Sequence, residues 1–121
     1  VFGADYPTPD GTAIRDYLHI KDLAQAHILA LRHLEEGKPS NTINLGTGKG
    51  TSVFEIIETI EKITKLTVPC VLMDRREGDV PQAVADTKKA KEILLFEPKF
   101  SDLDTIIESE WLSLQKQTFF N

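Results

Sequence analysis

The sequence predicts an α/β fold, a small mixed domain in which short strands and amphipathic helices alternate along the chain. Apolar residues recur at every second position in some segments and at helical spacing in the segments that follow them. The chain has 121 residues, of which 40% are hydrophobic, and this is enough to build one core. We therefore expect residues 1–121 to form a single domain.

The first third of the chain predicts a loop, a strand and a helix. Residues 1–13 are rich in Pro, Asp, Gly and Thr and predict a loop. Residues 14–20 alternate apolar with polar side chains and predict a short strand or extended stretch that ends at Lys21. Asp22 is expected to cap the first helix, which should end at Gly37 because Pro39 follows.

The middle of the chain predicts a strand that turns into a second helix. Residues 42–45 form a short β-prone run, and the three glycines of residues 46–50 predict a tight loop. Ser52 and Glu55 stand three positions apart, which is the spacing of a capping box at a helix N-terminus. An amphipathic helix is therefore expected from residue 53 onward.

The last third predicts one more strand and two more helices. Residues 68–73 predict a strand that leads into a loop bearing two arginines, and residues 87–94 predict a short helix. A final helix is predicted beyond residue 100, with Ser101 and Asp104 as its capping residues.

Composition argues against several classes of function. The net charge of −5 and the pI of about 5.1 do not suit a nucleic-acid-binding protein, which needs a basic stripe. One cysteine, Cys70, and the lack of a secretory signal or a long apolar run fit a cytoplasmic protein that does not enter a membrane. His19, His27 and His33 lack the spacing of zinc ligands, so no metal site is predicted.

Two arginine-bearing segments, residues 11–19 and 75–79, are the strongest candidates for a binding site. A guanidinium stays charged and presents a rigid fork of donors, which matches the oxygens of a diphosphate. The alternative is ordinary surface, in which Arg15 pairs with Asp16 and the mixed charges of residues 75–79 neutralise one another. On an extended backbone Arg75 and Arg76 point to opposite faces, so only one of them can easily reach a given ligand.

The glycine loop at residues 46–50 does not have the spacing of a phosphate-binding loop. A dinucleotide fingerprint requires G-x-G-x-x-G, and a phosphate loop requires Ser or Thr after Gly-Lys, whereas Gly50 follows Lys49 here. We interpret the loop as a corner between strand and helix whose glycines permit positive φ.

The motifs together resemble the UDP-glucose 4-epimerase family of extended short-chain dehydrogenases/reductases. The resemblance runs almost from end to end and is carried by residues 5–20, 22–27, 44–50, 75–79, 85–86 and 101–107. It covers only the C-terminal part of such an enzyme, since the family's nucleotide-binding glycine motif and its Tyr-x-x-x-Lys pair are not present. Neither Tyr6 nor Tyr17 is followed by lysine at the required offset.

The resemblance implies that this chain is the substrate-binding lobe of a two-domain enzyme. It assigns substrate contact to seven residues, namely Phe2, Arg15, Arg76, Glu77, Gly78, Asp79 and Ala83. The two arginines would bind the diphosphate of a UDP-hexose from two sides, and Asp79 would accept hydrogen bonds from the ribose. Arg75 would stay on the surface.

Two of these assignments have alternatives. Phe2 would use its main chain to pair with the uracil edge, but a chain terminus is expected to fray, and the ring would then seek any apolar contact. Ala83 would line the sugar pocket and leave room for an N-acetyl group, or it is a plain alanine of a strand or helix start.

The resemblance further implies interconversion of UDP-glucose and UDP-galactose through a 4-keto intermediate. NAD would be held by an N-terminal Rossmann domain that these residues lack, so the chain alone is expected to be inactive. A homodimer of the full-length protein is a further expected partner. The alternatives are the lobe of a sibling enzyme, such as a dehydratase or a UDP-glucuronate epimerase, and a non-catalytic helical interaction domain.

Overall fold

The computed structural model describes residues 1–118 and confirms the mixed α/β class. The helices in this part of the chain are α1 (Ile20–Glu35), α2 (Val53–Thr64), α3 (Lys88–Leu94) and α4 (Leu103–Thr118). The strands are β1 (Ile14–Arg15), β2 (Thr51–Ser52) and β3 (Gln82–Ala83). None of these helices is long and apolar enough to cross a membrane.

Within residues 1–118 the three strands form one small sheet, with strand order β2-β1-β3. β1 pairs antiparallel with β2 and parallel with β3, so that Arg15 lies opposite Thr51 on one side and Ala83 on the other. The predicted strand at residues 14–20 therefore ends after two residues. In its remainder the Asp16 carboxylate accepts from the N–H of Thr47, and the N–H of His19 donates to the Ser101 hydroxyl, so these groups bind loops instead of a neighbouring strand.

The capping box at the start of α2 is confirmed. The Ser52 hydroxyl accepts from the N–H of Glu55 at 3.2 Å, and the N–H of Ser52 donates to the Glu55 carboxylate at 2.7 Å. Two donors that a helix leaves unsatisfied are thus paired locally, which is why the sequence pattern alone located this end.

The predicted cap of α1 is wrong, because His19 holds that position and not Asp22. His19 Nδ1 accepts from the N–H of Lys21 at 2.9 Å. Asp22 lies in the first turn, only 3% exposed, and accepts from the N–H groups of Lys99 and Phe100 at 2.9 Å each. The Ser101 hydroxyl also donates to it.

The predicted caps of α4 are wrong by one or two positions for the same reason. Asp102 accepts from the N–H of Thr105 at 3.0 Å and from its hydroxyl, which is the geometry of a cap. Ser101 is occupied by the tertiary contact just described, and Asp104 forms an ion pair with Lys62 at 3.0 Å. Which of these neighbouring polar side chains caps the helix thus depends on tertiary contacts, and the local sequence pattern does not contain them.

Two predicted strands do not form regular pairing. Residues 42–45 are extended without a β partner. Residues 71–73 pair instead with the N-terminus, where the N–H of Met73 donates to Val1 O at 2.8 Å and the N–H of Gly3 donates to Met73 O at 2.9 Å. The expected fraying of the first residues is therefore wrong, because main-chain hydrogen bonds hold them.

The hydrophobic core lies between α1 and α3, while α2 packs on α4. Its buried members are Ala26, Ala90, Leu94 and Phe96. Small residues at the centre bring the helices close together, and larger side chains from residues 43–45 cover one side. The pairing of β1 with β3 brings Arg15 next to the loop that follows Met73, where the candidate site lies.

Replacing Asp22 by asparagine should lower the free energy of unfolding by about 1.5–3 kcal/mol at neutral pH, because buried donors lose a charged acceptor. Burial raises the pKa of Asp22, but the hydrogen bonds from Ser101, Lys99 and Phe100 outweigh it and hold the pKa below the ordinary 3.8. A lowered folded pKa means that the stabilisation is complete above 3.8 and is lost as the pH falls through the folded value. Urea unfolding at neutral pH and at about pH 3 measures both effects.

Asp74→Asn is the matched control, since Asp74 is exposed and forms no hydrogen bond or ion pair within residues 1–118. It should change the unfolding free energy by less than about 0.5 kcal/mol. Equal losses in the two variants at neutral pH would contradict the role given to Asp22.

Candidate functional site

Arg15 is fixed at the end of β1 by its own hydrogen bonds. Its Nη1 donates to Ile14 O at 2.7 Å and to Val80 O at 3.0 Å, which ties the guanidinium to the strand and to the entrance of β3. Its Nη2 lies 4.0 Å from Asp79 Oδ1. The alternative pairing of Arg15 with Asp16 is wrong, because the Asp16 carboxylate binds elsewhere.

Arg76 reaches the same carboxylate from the other side. Its Nε donates to Asp79 Oδ2 at 2.9 Å, and its guanidinium carbon lies 4.8 Å from the centre of the Phe2 ring. Arg15 and Arg76 therefore converge on the two oxygens of one carboxylate from segments about sixty residues apart. The side chain of Arg76 is 60% exposed and that of Asp79 only 22%, so the pair opens toward solvent on the arginine side.

The turn between Arg76 and Asp79 is built on Gly78. The N–H of Asp79 donates to Arg76 O at 3.3 Å, and Gly78 has φ +85°, a conformation that side chains with a Cβ rarely adopt. Glu77 is exposed and forms no hydrogen bond or ion pair within the described residues. The structure thus brings Arg15, Arg76 and Asp79 together and leaves Glu77 apart from them.

Phe2 presents an unused main-chain edge beside Arg76. In its parallel bridge with Met73 the groups that bind Met73 belong to Val1 and Gly3. The N–H and C=O of Phe2 itself point away and have no partner among residues 1–118. One donor and one acceptor therefore face outward at adjacent positions, next to a ring that is 47% exposed.

Ala83 lies in β3 directly beside Arg15 in the register of the sheet, and it is exposed. Its side chain is a single methyl group, so it is small as well as exposed at this position. Of the seven residues assigned by resemblance, five surround this corner of the sheet and two, Glu77 and Gly78, form the turn that precedes Asp79.

Arg75 lies at the surface, as expected, but it is engaged in three contacts. Its Nε donates to Asp5 Oδ1 at 2.8 Å and its Nη2 to Asp5 O at 2.6 Å. Its guanidinium carbon lies 4.3 Å from the centre of the Tyr6 ring. The prediction that Arg75 and Arg76 point to opposite faces therefore agrees with their separate partners.

The glycine loop at residues 46–50 holds an internal carboxylate. The N–H and hydroxyl of Thr47 donate to Asp16 at 2.9 and 2.7 Å, and the N–H of Gly48 donates at 2.9 Å. Burial raises the pKa of Asp16, but these bonds and one from the N–H of Ala85 outweigh it and lower the pKa. The anion that this loop binds is therefore part of the chain, which agrees with its interpretation as a corner.

The prediction that the glycines of this loop permit positive φ is correct for only one of the three. Only Gly48 has positive φ, at +78°. A Cβ on Gly46 would meet the Asp16 carboxylate and lie 2.6 Å from the Ala85 Cβ, and one on Gly50 would meet Ile14. Close approach of neighbouring side chains, and not backbone conformation, requires glycine at these two positions.

A separate cavity of about 540 Å³ lies between the glycine loop and the start of α4. Tyr17, Lys49, Lys99 and Asp102 are among the residues that line it, and none of the seven assigned residues does. It is thus distinct from the corner formed by Arg15, Arg76 and Asp79.

Comparison with known proteins decides which family the chain resembles. A model of the NAD dependent epimerase/dehydratase family matches residues 1–46. The UDP-glucose 4-epimerase of Azospirillum brasilense is 50% identical over 90% of this chain and 31% of its own length. The resemblance to the UDP-glucose 4-epimerases is confirmed. The chain spans about a third of the length of these relatives and corresponds to their C-terminal part.

Two solved structures of such epimerases are similar in fold as well. One, from Stenotrophomonas maltophila with bound NAD and formylated UDP-arabinopyranose, has a TM-score of 0.93 at 40% identity, covering 100% of this chain and 36% of its own. Another, a UDP-Glc/GlcNAc 4-epimerase from Campylobacter jejuni, has a TM-score of 0.80 at 39% identity, covering 94% of this chain and 35% of its own. NAD is therefore a cofactor of the related epimerases, as the resemblance implied.

Gly46→Ala should lower the free energy of unfolding by about 2–3 kcal/mol, because the added methyl displaces the Asp16 carboxylate and breaks its bonds to the loop. Gly37→Ala is the matched control. A Cβ there meets nothing within 4 Å, so only the positive φ of +76° opposes the change, at about 1 kcal/mol. Thermal or urea unfolding of both variants measures the difference, and a smaller loss at Gly46 than at Gly37 would contradict the close-approach argument.

Proposed function

We propose that this chain is the UDP-sugar-binding lobe of a UDP-glucose 4-epimerase, an NAD-dependent enzyme that interconverts UDP-glucose and UDP-galactose. The observation that carries the proposal is the convergence of Arg15 and Arg76 on Asp79, next to the outward-facing main chain of Phe2. The two guanidiniums can bind a diphosphate and the carboxylate can bind a ribose. The main-chain donor and acceptor of Phe2 can pair with a uracil.

The diphosphate would bind between Arg15 and Arg76. Within residues 1–118 the Arg76 guanidinium uses only Nε, so both of its Nη groups remain available to an anion. The Asp79 carboxylate would then keep its bond to one arginine and accept from the ribose hydroxyls with its remaining lone pairs. Gly78 shapes the turn that places Asp79, and Glu77 would contribute at its margin.

The uracil would pair with the N–H and C=O of Phe2. These groups are held in place because their neighbours on both sides are bonded to Met73. Recognition of uracil by main-chain groups depends on the position of the backbone and hardly on the identity of the side chain.

A lobe that binds the UDP part of the substrate, and not the reacting hexose, suits epimerisation. If the 4-keto sugar turns over while it is bound, the affinity has to come from the part of the substrate that does not react. Contacts to diphosphate, ribose and uracil supply that affinity and leave the ring free. NAD would supply the hydride acceptor, and the N-terminal Rossmann domain would hold it.

The missing part of the enzyme is the partner that the surface suggests. Several large apolar side chains of α1 are exposed, among them Ile20 at 76% and Leu31 at 58%, and residues 42–45 beside α1 lack a β partner. An N-terminal Rossmann domain would cover this face. Cys70 is free and exposed, which suits a reducing compartment such as the cytoplasm. Full-length protein would form the homodimer that the resemblance implies, which sedimentation measures.

The isolated chain should bind UDP weakly and should show no epimerase activity, because the base and the hydride carrier are both outside it. Arg15→Ala and Arg76→Ala should each weaken UDP binding by about 10- to 100-fold, since a charge-assisted contact to a phosphate is lost. Ligand-observed NMR with UDP is suited to weak complexes and measures both effects.

Arg32→Ala is the matched control, because Arg32 is exposed in the last turn of α1 and shares no hydrogen bond or ion pair with Arg15, Arg76 or Asp79. It should leave UDP binding unchanged. A chain whose UDP signal is absent, or insensitive to Arg15 and Arg76, would support the non-catalytic interaction domain instead. Epimerase activity of the chain alone would refute the assignment of chemistry to the missing part.

The full-length enzyme should also accept N-acetylated UDP-hexoses, because Ala83 leaves space beside Arg15 where a larger side chain would meet the acetamido group. The similar Campylobacter jejuni protein is a UDP-Glc/GlcNAc 4-epimerase, which favours this hypothesis. Ala83→Phe should reduce turnover of UDP-N-acetylglucosamine at least about tenfold more than turnover of UDP-glucose. The rate on UDP-glucose in the same variant is the internal control. Undetectable turnover of UDP-N-acetylglucosamine by the unaltered enzyme would remove the hypothesis.

A further inference from the structure

Arg75 connects two segments of the chain that are seventy residues apart. Its two hydrogen bonds to Asp5 use the carboxylate and the main-chain oxygen of the same residue, at 2.8 and 2.6 Å. Its guanidinium carbon lies 4.3 Å from the centre of the Tyr6 ring, which is within the range of a cation–π contact. Tyr6 is itself only 4% exposed, so the ring forms a fixed surface for Arg75.

The same junction determines where Gly3 lies. A Cβ on Gly3 would come within 2.9 Å of the Arg75 side chain and 3.2 Å of Tyr6 Cδ2, so the backbone of Gly3 runs directly against both side chains. Gly3 has φ +86°, a conformation that glycine adopts without strain and that residues with a Cβ rarely adopt. The N–H of Gly3 donates to Met73 O on the opposite side.

The peptide unit between Phe2 and Gly3 is therefore held in place from two sides, although its C=O faces outward. Its N–H is bonded to Met73, and Gly3 is held against Arg75 and Tyr6. The C=O of this peptide is that of Phe2, which is one of the two outward-facing groups of the site. Arg75 lies over Tyr6, against which Gly3 packs, whereas Arg76 lies over the ring of Phe2.

We propose that Arg75 is a positioning residue for base recognition, which fixes the N–H and C=O of Phe2 without touching the ligand. This inference rests on the proposed function, in which that main-chain edge pairs with uracil. Arg76 differs from it, because Arg76 faces Asp79 and the diphosphate. Of the two neighbouring arginines, Arg75 thus determines base selectivity and Arg76 contributes affinity for the anion.

The test uses three probes that separate base from diphosphate. Uracil offers a ring N–H and a carbonyl at its edge, whereas cytosine offers a ring nitrogen acceptor and an amino donor, so one fixed main-chain edge cannot suit both. Inorganic pyrophosphate has no base. Affinities of the 121-residue chain for UDP, CDP and pyrophosphate are measured by ligand-observed NMR for the unaltered chain, Arg75→Gln, Arg76→Gln and the control Arg32→Gln.

Arg75→Gln is expected to lower UDP affinity about five- to tenfold, to reduce the UDP-to-CDP ratio close to one, and to leave pyrophosphate affinity unchanged. Arg76→Gln should weaken all three ligands and preserve the ratio. Arg75→Lys keeps the charge near Asp5 but lacks the flat fork, so it should give an intermediate ratio. Arg32→Gln should match the unaltered chain.

A ratio that is unchanged in Arg75→Gln overturns the inference, even if the melting temperature falls, since the contact would then be only structural. A parallel loss of pyrophosphate affinity also overturns it, because Arg75 would then act on the anion. If Arg75→Gln fails to fold, as far-ultraviolet circular dichroism would show, Arg75→Lys decides by the same ratio. If the unaltered chain does not prefer UDP over CDP, the proposed reading of uracil by Phe2 fails first, and the inference fails with it.

Discussion

Carboxylates that accept hydrogen bonds from distant segments hold this fold together. The strands are only two residues long, so the ladder alone cannot fix their neighbours. Asp16 binds the glycine loop, Asp22 binds the segment before α4, and Asp10 accepts from Thr12 and Ser52. Burial raises the pKa of Asp10, but these hydrogen bonds outweigh it and lower the pKa, as they do for the other two.

The candidate site depends on this arrangement because β1 lies in the middle of it. Asp16 follows Arg15 directly, and its bonds to Thr47 and Ala85 fix the end of the strand from which Arg15 extends. Arg15 is then aimed at Asp79 by its own bonds to main-chain oxygens. An anion site formed by such fixed guanidiniums is partly organised before a ligand arrives, which lowers the cost of binding.

Local chemistry explains which predictions from the sequence succeeded. The capping box of Ser52 and Glu55 forms within three residues, and the helix at residues 88–94 follows from its own spacing. The opposite directions of Arg75 and Arg76 follow from the alternation of an extended chain. The errors share one cause. Asp22 and Ser101 resemble caps in sequence, but they bind each other across 79 residues, and no local pattern records that contact.

Sequence alone predicted the fold class, most helices and the resemblance to a family, because helical periodicity, capping and contiguous motifs depend on residues close together in the chain. Only the tertiary structure decided that Arg15 and Arg76 share one carboxylate, that Phe2 is held by Met73, and that Arg75 lies on Tyr6. These contacts join segments about sixty to seventy residues apart. Their distances are set by the packing of the helices and by the carboxylates that join distant segments, so they exist only once the chain has folded.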